Sequence, residues 1–306
     1  MTNNKKMHAD EIDVTLELVR QLVDAQFPEC ISLPLSQVQS AGTDNAMFRL
    51  GNTLVVRLPR ISSAAQQIEK EQRWLSHLQP HLPLEIPTPV HKGSPTDAYP
   101  FTWSIYQWID GDTVSIHNVN NQTNIAESLA GFLSALQKVD TTDAPLPGKH
   151  NFGRGVPLAE RDAATRKAID SLADMLDTDI LYKAWDEALS APVYQDVPVW
   201  IHGDLQAGNL LTRDDTLVAI IDFGGAAIGD PACDLQVAWN LFDKDARLAF
   251  RDTMNVSDAM WARGRGWALS VGAIALPYYK VTNPVLAGIS KKALDTVIAD
   301  YTHRHK

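Results

Sequence analysis

The sequence predicts an α+β fold with two lobes, in which a small β-rich N-terminal lobe precedes a larger, mainly helical lobe. Short β-prone segments cluster before residue 110, whereas apolar residues at helical spacing dominate after it. Two apolar strand-like segments interrupt the helical part, and each leads into a polar motif that contains aspartate. At 306 residues the chain suits either one large domain or two lobes around a cleft. The change near residue 110 favours lobes at residues 1–108 and 109–306.

The N-terminal lobe is predicted to open with a helix, because apolar residues recur at helical spacing from Ile12 to Phe27, just before Pro28. A second helix is predicted at about residues 63–78. The dipeptide Gly51-Asn52 suits a two-residue hairpin turn between two strands. Strands are predicted at residues 38–40, 46–50, 53–58 and 101–108.

The second lobe is predicted to be mainly helical, because Ile125, Leu129, Phe132 and Leu136 fall on one helical face. A loop that contains proline and glycine follows at residues 141–155. The further predicted elements are helices at about residues 158–176 and 179–189 and strands at 197–201 and 216–221.

Charge and cysteine content exclude several classes of protein. The formal net charge of −10 leaves no broad basic surface for a nucleic acid. Cys30 and Cys233 lie far apart and outside any Cys-x-x-Cys pattern, so we expect reduced thiols and neither a disulfide framework nor a zinc site. The apolar stretch at 267–279 is too short to span a bilayer. We expect a cytoplasmic monomer or homodimer without a membrane partner.

The first chemical motif is His-Gly-Asp-Leu-Gln-Ala-Gly-Asn at residues 202–209, directly after a predicted strand. Phosphoryl transfer needs a carboxylate that holds and deprotonates the attacking hydroxyl, and a nearby oxygen ligand that helps to seat magnesium. Asp204 fits the first role as the catalytic base, and Asn209 fits the second as a metal ligand.

The second motif is Asp222-Phe223-Gly224, which follows the next predicted strand and supplies Asp222 as a charged magnesium ligand. The pairing of His-x-Asp-x-x-x-x-Asn with Asp-Phe-Gly is known from protein kinases. The alternative is that these residues only form turns and helix caps. Their order and spacing, each after its own strand, favour the chemical interpretation.

A cation and a carboxylate in the N-terminal lobe form a third candidate site. By strand parity Val55 and Arg57 share a face and are predicted to look into a nucleotide cleft, where Arg57 would hold phosphates. Glu71 lies on the otherwise apolar face of the following helix, and Arg57 is its natural partner. The alternative is that both side chains lie at the surface.

The loop at residues 40–45 is the weakest motif, because it has one glycine where protein kinases have three. Its backbone amides and the hydroxyls of Ser40 and Thr43 are candidate phosphate contacts. An ordinary polar turn is an equal alternative.

At these residues the sequence resembles the aminoglycoside phosphotransferase family, small-molecule kinases with a protein-kinase-like fold that include relatives of choline and homoserine kinases. The resemblance covers most of the chain, and its motifs are specific to the family rather than to one member. The matching segments are residues 54–59, 108–111, 202–211, 220–224 and 229–235.

The resemblance implies a five-stranded antiparallel sheet with one helix, followed by a mainly helical lobe. It also implies that the adenine or guanine of ATP or GTP lies against a hinge that includes Ile105, Gln107 and Trp108. In the helical lobe it implies that Asp234 braces the catalytic loop by accepting backbone amides, and that His202 is structural.

Two departures from the pattern bear on the activity. Arg57 stands where most kinases have lysine, although many relatives of this type share the arginine. The segment after Gly224 lacks an Ala-Pro-Glu element, which disfavours a protein kinase.

The leading hypothesis is transfer of the terminal phosphoryl group of ATP or GTP, held with Mg²⁺, to a hydroxyl of an aminoglycoside-like antibiotic or other polar small molecule. A metabolic kinase for choline, homoserine or a sugar is a second candidate. A nucleotide-binding module without turnover is a third, motivated by the glycine-poor loop and Arg57. The acidic residues Asp230, Asp243, Asp245 and Asp258 are candidates for binding amines of a cationic acceptor, and the alternative is that most of them are simply solvated.

Overall fold

The computed structural model describes residues 11–38, 44–116 and 121–305. The chain divides into two compact units. The N-terminal unit comprises Met1–Pro80 and Glu85–Asp110, and the C-terminal unit comprises His81–Leu84 and Gly111–Lys306. The division follows Asp110, close to the change in sequence character, and the predicted α+β fold is confirmed. The assignment of nucleotide binding to the first unit and catalysis to the second stays a prediction.

Within the described part of the N-terminal unit, five strands form an antiparallel sheet in the order β1-β2-β3-β5-β4. Its elements are α1 (Leu16–Gln26), β1 (Leu35–Gln37), β2 (Asn45–Leu50), β3 (Leu54–Pro59), α2 (Ser62–Leu78), β4 (Pro89–Gly93) and β5 (Trp103–Gln107). The first strand precedes the predicted residues 38–40, of which 39 and 40 lie outside the described residues. The predicted two-residue turn is wrong, because Leu50 pairs with Leu54 and leaves a three-residue loop.

The register of the sheet assigns its side chains to two faces. Val56 pairs with Ile105 and Phe48, so these three side chains share one face, where they join a buried core with Val19 and Leu22 of α1. Each buried aliphatic side chain of this kind stabilises the fold by about 1.5–3 kcal/mol. Residues of β3 and β5 with the opposite parity face away from this core.

The C-terminal unit is mainly helical but contains two small sheets. Its strands are β6 (Asp112–Thr113), β7 (Val199–Ile201), β8 (Leu210–Arg213), β9 (Thr216–Ile220) and β10 (Ala227–Gly229). They pair as β6-β8-β9 and as β10-β7. The helices are α3 (Gln122–Leu136), α4 (Asp162–Asp170), α5 (Thr178–Ser190), α6 (Val237–Asn240), α7 (Lys244–Met254), α8 (Asp258–Tyr279) and α9 (Pro284–Arg304).

The helix α8 is central to this unit because two of its glycines permit close packing. A Cβ atom on Gly264 would lie 2.6 Å from Leu235 Cβ, and one on Gly266 would lie 2.7 Å from Ala188 Cβ. The apolar stretch at 267–279 belongs to this helix. Within the described residues, no helix combines the length and apolar character needed to cross a membrane.

Both cysteines are free thiols in the structure, and both are buried. Burial raises the pKa of Cys30 and of Cys233, so neither thiol is activated as a nucleophile.

The contact between Gly93 and Trp103 gives a test of packing in the N-terminal unit. A Cβ on Gly93 would lie 2.0 Å from the Trp103 ring, which is fully buried. We expect Gly93→Ala to lower the free energy of unfolding by about 1–3 kcal/mol through overpacking. Gly131→Ala is the control, because no atom lies within 4 Å of the added methyl group on this helical residue. The unfolding temperature should fall in Gly93→Ala and rise in Gly131→Ala. An unchanged unfolding temperature in Gly93→Ala would contradict the packing described.

Candidate active site

The loop that carries Asp204 follows β7 and contains a glycine that no other residue can replace without strain. Gly203 has φ +82°, and a Cβ there would lie 2.5 Å from the carbonyl oxygen of Gly225. The segment that follows Asp222-Phe223-Gly224 therefore passes directly against the loop. Chain contact at Gly203 brings together two motifs that are distant in sequence.

Asp234 fixes the backbone of the same loop. Its carboxylate accepts hydrogen bonds from the amides of His202 at 2.7 Å and of Gly203 at 2.8 Å. The side chain is fully buried, which raises the pKa of Asp234, while the two amide bonds act in the opposite direction. The bracing role that the family resemblance implied for Asp234 is confirmed.

The imidazole of His202 contacts the backbone of both motifs. Its Nδ1 accepts from the Asp204 amide at 3.2 Å, and its Nε2 lies 3.0 Å from the Ile221 carbonyl. These contacts fit a ring that carries its proton on Nε2. The ring also packs edge-on against Phe223 at 4.7 Å. The structural role predicted for His202 is confirmed.

Asn209 is held against Asp204. Its side-chain nitrogen donates to the Asp204 carbonyl at 2.7 Å and lies 3.4 Å from the Asp204 carboxylate oxygen Oδ2. Because the nitrogen faces Asp204, the amide oxygen of Asn209 is not used in this contact. The backbone of the same residue accepts from Ile221 N at 2.9 Å, next to Asp222.

Asp222 has a left-handed backbone, with φ 65° and ψ 68°, between β9 and the 3₁₀ turn Phe223–Gly225. Non-glycine residues in this region cost conformational energy and are concentrated at functional sites. Carboxylate and amide oxygens are the ligands that Mg²⁺ prefers, so Asp222 and Asn209 together fit a magnesium site. Their donor atoms suit no soft metal.

The electrostatic environment of Asp204 suits a proton acceptor. Its side chain keeps 40% of its surface open, which leaves the carboxylate accessible. Desolvation by the surrounding protein raises the pKa of Asp204, the charge of Arg154 lowers it, and the charge of Asp222 raises it again. A raised carboxyl pKa strengthens the base that the ionised form provides.

Arg154 is the residue at this site that sequence reasoning missed. Its Nη2 atom lies 3.7 Å from Asp204 Oδ1. The available signal was a cation between two glycines, Gly153 and Gly155, in the loop at 141–155. No periodicity or motif spacing relates this loop to Asp204.

In the N-terminal unit, Arg57 and Glu71 form the expected ion pair. Arg57 Nη1 donates to both carboxylate oxygens of Glu71 at 2.8 Å, and the Tyr106 hydroxyl donates to Glu71 at 2.6 Å. The side chain of Arg57 is 8% exposed and that of Glu71 is 1% exposed, so the surface alternative is wrong. Asn45, with its amide oxygen turned toward Arg57, accepts from the remaining guanidinium nitrogens at 3.1 and 3.3 Å.

The other predicted nucleotide contacts divide between the two sheet faces. Val55 lies on the face of Arg57 and is buried. Ile105 lies on the opposite face, in the core beside α1, so a nucleotide contact there would involve its main chain. Gln107 is exposed, and its main-chain amide donates to the Thr88 carbonyl.

Trp108 is tied into the end of the sheet rather than left open. Its amide donates to the Thr53 carbonyl, and its indole donates to Asp110 at 2.8 Å. The Arg49 guanidinium stacks 3.9 Å from the ring centre. Ser40 and Thr43 lie outside the described residues, so their predicted phosphate contacts stay predictions.

Three of the four acidic residues suggested for amine binding have other partners in the structure, and the fourth, Asp245, is exposed. Asp230 is buried and paired with Arg263, and Asp243 caps α7 by accepting from the Ala246 amide. Asp258 is exposed and paired with Arg251.

The contacts of Asp234 predict a coupled loss of stability and activity. In Asp234→Asn the new NH₂ group faces one of the two amide donors, which leaves a buried donor unpaired at a cost of about 1–3 kcal/mol. We expect a lower unfolding temperature and a lower kcat, because the loop that carries Asp204 loses its brace. The control is Asp245→Asn, at an exposed position of α7. Equal behaviour of the two variants would refute the bracing role.

The Arg57–Glu71 pair predicts that stability and nucleotide binding can be separated. Glu71→Ala leaves the Arg57 charge buried without its partner and should destabilise the protein by about 3–5 kcal/mol. The double variant Arg57→Met with Glu71→Leu should recover much of this stability, because buried ion pairs are replaceable by apolar pairs. We expect the double variant to fold and still bind ATP weakly in calorimetry. Full ATP affinity in that variant would show that the pair is purely structural.

Comparison with known proteins shows which family and fold this chain shares. The sequence profile described as "Phosphotransferase enzyme family" matches residues 37–267. No curated protein sequence matches the chain at a significant level. Among solved structures, the GDP and kanamycin complex of APH(2")-IIia is similar, with a TM-score of 0.72 and 20% identity over 92% of this chain and 98% of that chain.

Two further structures share the fold. ADP-bound aminoglycoside phosphotransferase APH(2'')-Ib has a TM-score of 0.60 and 18% identity, over 94% of this chain and 99% of its own. The apoenzyme of macrolide 2'-phosphotransferase MphH from Brachybacterium faecium has a TM-score of 0.60 and 19% identity, over 89% and 96%. At these identities the similarity establishes the fold. The profile match, which covers most of the chain, confirms the resemblance found in the sequence: this protein belongs to the phosphotransferase enzyme family.

Proposed function

We propose that the protein transfers the terminal phosphoryl group of ATP or GTP to a hydroxyl of a polar small molecule. The observation that carries the proposal is the joining of Asp204 and Asn209 by a 2.7 Å hydrogen bond, with the charge of Asp222 close enough to raise the pKa of Asp204. A general base and two oxygen ligands are the groups that phosphoryl transfer to an alcohol requires.

In the proposed reaction Asp204 orients the acceptor hydroxyl and takes its proton as the oxygen attacks the terminal phosphorus of the nucleotide. The bond from that phosphorus to the bridging oxygen breaks, and ADP or GDP leaves. Asn209 holds the Asp204 loop and, with Asp222, would hold Mg²⁺. When bound, Mg²⁺ would neutralise the charge of the phosphates. Asp234 and His202 keep the loop in place and do not touch the reacting atoms.

The donor nucleotide is proposed to contact the Arg57 face of the N-terminal sheet. Arg57 would hold phosphates in an orientation fixed by Glu71, and Val55 would pack against the base. Ser40, Thr43, Ile105, Gln107 and Trp108 are proposed as further contacts. Structural neighbours that hold GDP or ADP support a nucleotide donor.

The acceptor is proposed to be an aminoglycoside-like antibiotic, on the strength of the neighbour that holds kanamycin. A macrolide is a second candidate because of the similar macrolide phosphotransferase. Metabolic acceptors such as choline, homoserine or a sugar stay alternatives. The cytoplasmic location and the oligomeric state also stay predictions.

The proposal is tested by Mg²⁺-dependent consumption of ATP and, separately, GTP in the presence of these acceptors. We expect one acceptor class to stimulate turnover, and Asp204→Ala to reduce kcat by about 10²–10⁴-fold because the general base is lost. Asp174→Ala, at an exposed position to which no role is assigned, is the matched control. Undiminished turnover in Asp204→Ala would rule out the mechanism. Tight nucleotide binding without stimulation by any acceptor would instead favour a binding module.

A further inference from the structure

Arg154 is an arginine whose donors the protein does not use. Within the described residues its guanidinium makes no hydrogen bond, and its nearest acidic partner is Asp204 at 3.7 Å, beyond hydrogen-bonding distance. The side chain is only 14% exposed. Its Nη1 atom is fully buried and has no acceptor. A charged group with buried, unpaired donors is costly unless a ligand completes its hydrogen bonds.

Within the described residues, the buried arginines Arg57, Arg263 and Arg265 each donate to a carboxylate, although the Nε atom of Arg265 has no acceptor. Arg263 donates to both carboxylate oxygens of Asp230 and to the Pro192 carbonyl. Arg57 is paired with Glu71. Arg57 and Arg263 are both buried, and each has a carboxylate partner that compensates its charge. Arg154 has the burial of a structural arginine without the partners of one, which indicates a ligand-binding group.

The backbone holds Arg154 rigidly beside Asp204. Gly155 has φ +90°, and a Cβ there would lie 2.7 Å from the side chain of Ile201, the last residue of β7. The Asn151 side-chain nitrogen donates both to the Arg154 carbonyl at 3.0 Å and to the Gly225 carbonyl at 3.3 Å. The position of Arg154 is therefore fixed by contacts to both motif loops, as a preorganised binding group requires.

A second cation, Arg161, lies near Arg154 but is held by the fold. Burial, and to a smaller extent the charge of Arg154, lower the pKa of Arg161 to about 10. The Arg161 guanidinium is occupied by Ser270 and the Phe152 carbonyl and lies over the Trp267 ring. Arg154 is therefore the one of these two cations that lacks a hydrogen-bonding partner, and its charge acts on the carboxylates of Asp204 and Asp234.

We propose that Arg154 is the ligand of an oxyanion that lies beside Asp204 during the reaction. The inference rests on the proposed function, because it takes Asp204 as the catalytic base. The guanidinium fork matches phosphate and carboxylate oxygens in two parallel hydrogen bonds. The oxyanion has two sources: the terminal phosphoryl group of the donor nucleotide, or an anionic group of the acceptor. An anionic acceptor would set this protein apart from an enzyme that selects polycationic substrates.

The test compares Arg154→Gln, Arg154→Lys and the surface control Arg166→Gln. Calorimetry with Mg²⁺ measures the affinity for ADP and for the non-hydrolysable β,γ-imido analogue of ATP. If the oxyanion is the terminal phosphoryl group, Arg154→Gln should weaken analogue binding about tenfold while ADP binding stays unchanged. Arg154→Lys should recover part of the loss, and Arg166→Gln should bind as the unmodified protein does.

A second arm tests the acceptor source. With the nucleotide site saturated by the Mg²⁺-bound analogue, inorganic phosphate and acetate are titrated as probes. If the oxyanion belongs to the acceptor, these probes should bind to the unmodified protein and at least tenfold more weakly to Arg154→Gln, while the affinity for the analogue stays unchanged. Neither arm needs turnover, so both remain informative if the proposed phosphoryl transfer fails in the acceptor assay.

Thermal unfolding of the ligand-free protein separates a binding role from a structural one. Because the protein leaves the Arg154 donors unused, Arg154→Gln should lower the unfolding temperature far less than Arg263→Gln, which breaks a buried ion pair. Equal destabilisation by the two variants would overturn the proposal. If Arg154→Gln and the unmodified protein have the same affinity for the ATP analogue and for the phosphate and acetate probes, the proposal is overturned as well.

Discussion

The pair of hydrogen bonds from the amides of His202 and Gly203 to the buried carboxylate of Asp234 is the contact on which the rest of the site depends. Hydrogen bonds to a charged acceptor contribute about 1.5–3 kcal/mol each, more than those between neutral groups. Asp234 is itself placed by a second buried interaction, in which Arg263 of α8 binds Asp230 at the start of the 3₁₀ helix Pro231–Gln236. The loop that carries Asp204 is thus connected to helix α8 through the carboxylates of Asp234 and Asp230.

This arrangement explains how a loop can be both exposed and rigid. Asp204 keeps an accessible carboxylate while its own amide and carbonyl are bound by His202 and Asn209. The close approach of Gly203 to Gly225 fixes the distance between the two motifs. Groups that are held in place before the substrate arrives need no reorganisation during the reaction, which is the main source of electrostatic catalysis. The left-handed backbone of Asp222 is the conformational cost of this placement.

Much of the fold and site was predictable because the signals are local. Helical spacing predicted α1, α2 and α3 to within a few residues, and strand parity with helical phase predicted that Arg57 meets Glu71. The three-residue loop between β2 and β3 was missed, because both loop lengths suit the same glycine-containing segment. The side chain of Ile105 could not be placed from the motif alone. The motif identifies the segment, whereas the strand register decides which face of the sheet each side chain occupies.

The sequence by itself determined the family, the α+β fold and the order of the residues Asp204, Asn209 and Asp222, because each is encoded by short-range spacing after an apolar strand. Only the tertiary structure decided that Arg154 lies beside Asp204, and that three of the four acidic residues considered for amine binding are engaged elsewhere. The physical reason is the range of the interaction. Periodicity specifies which face of an element is buried, whereas a loop's position depends on chain contacts such as Gly155 against Ile201, which no local pattern records.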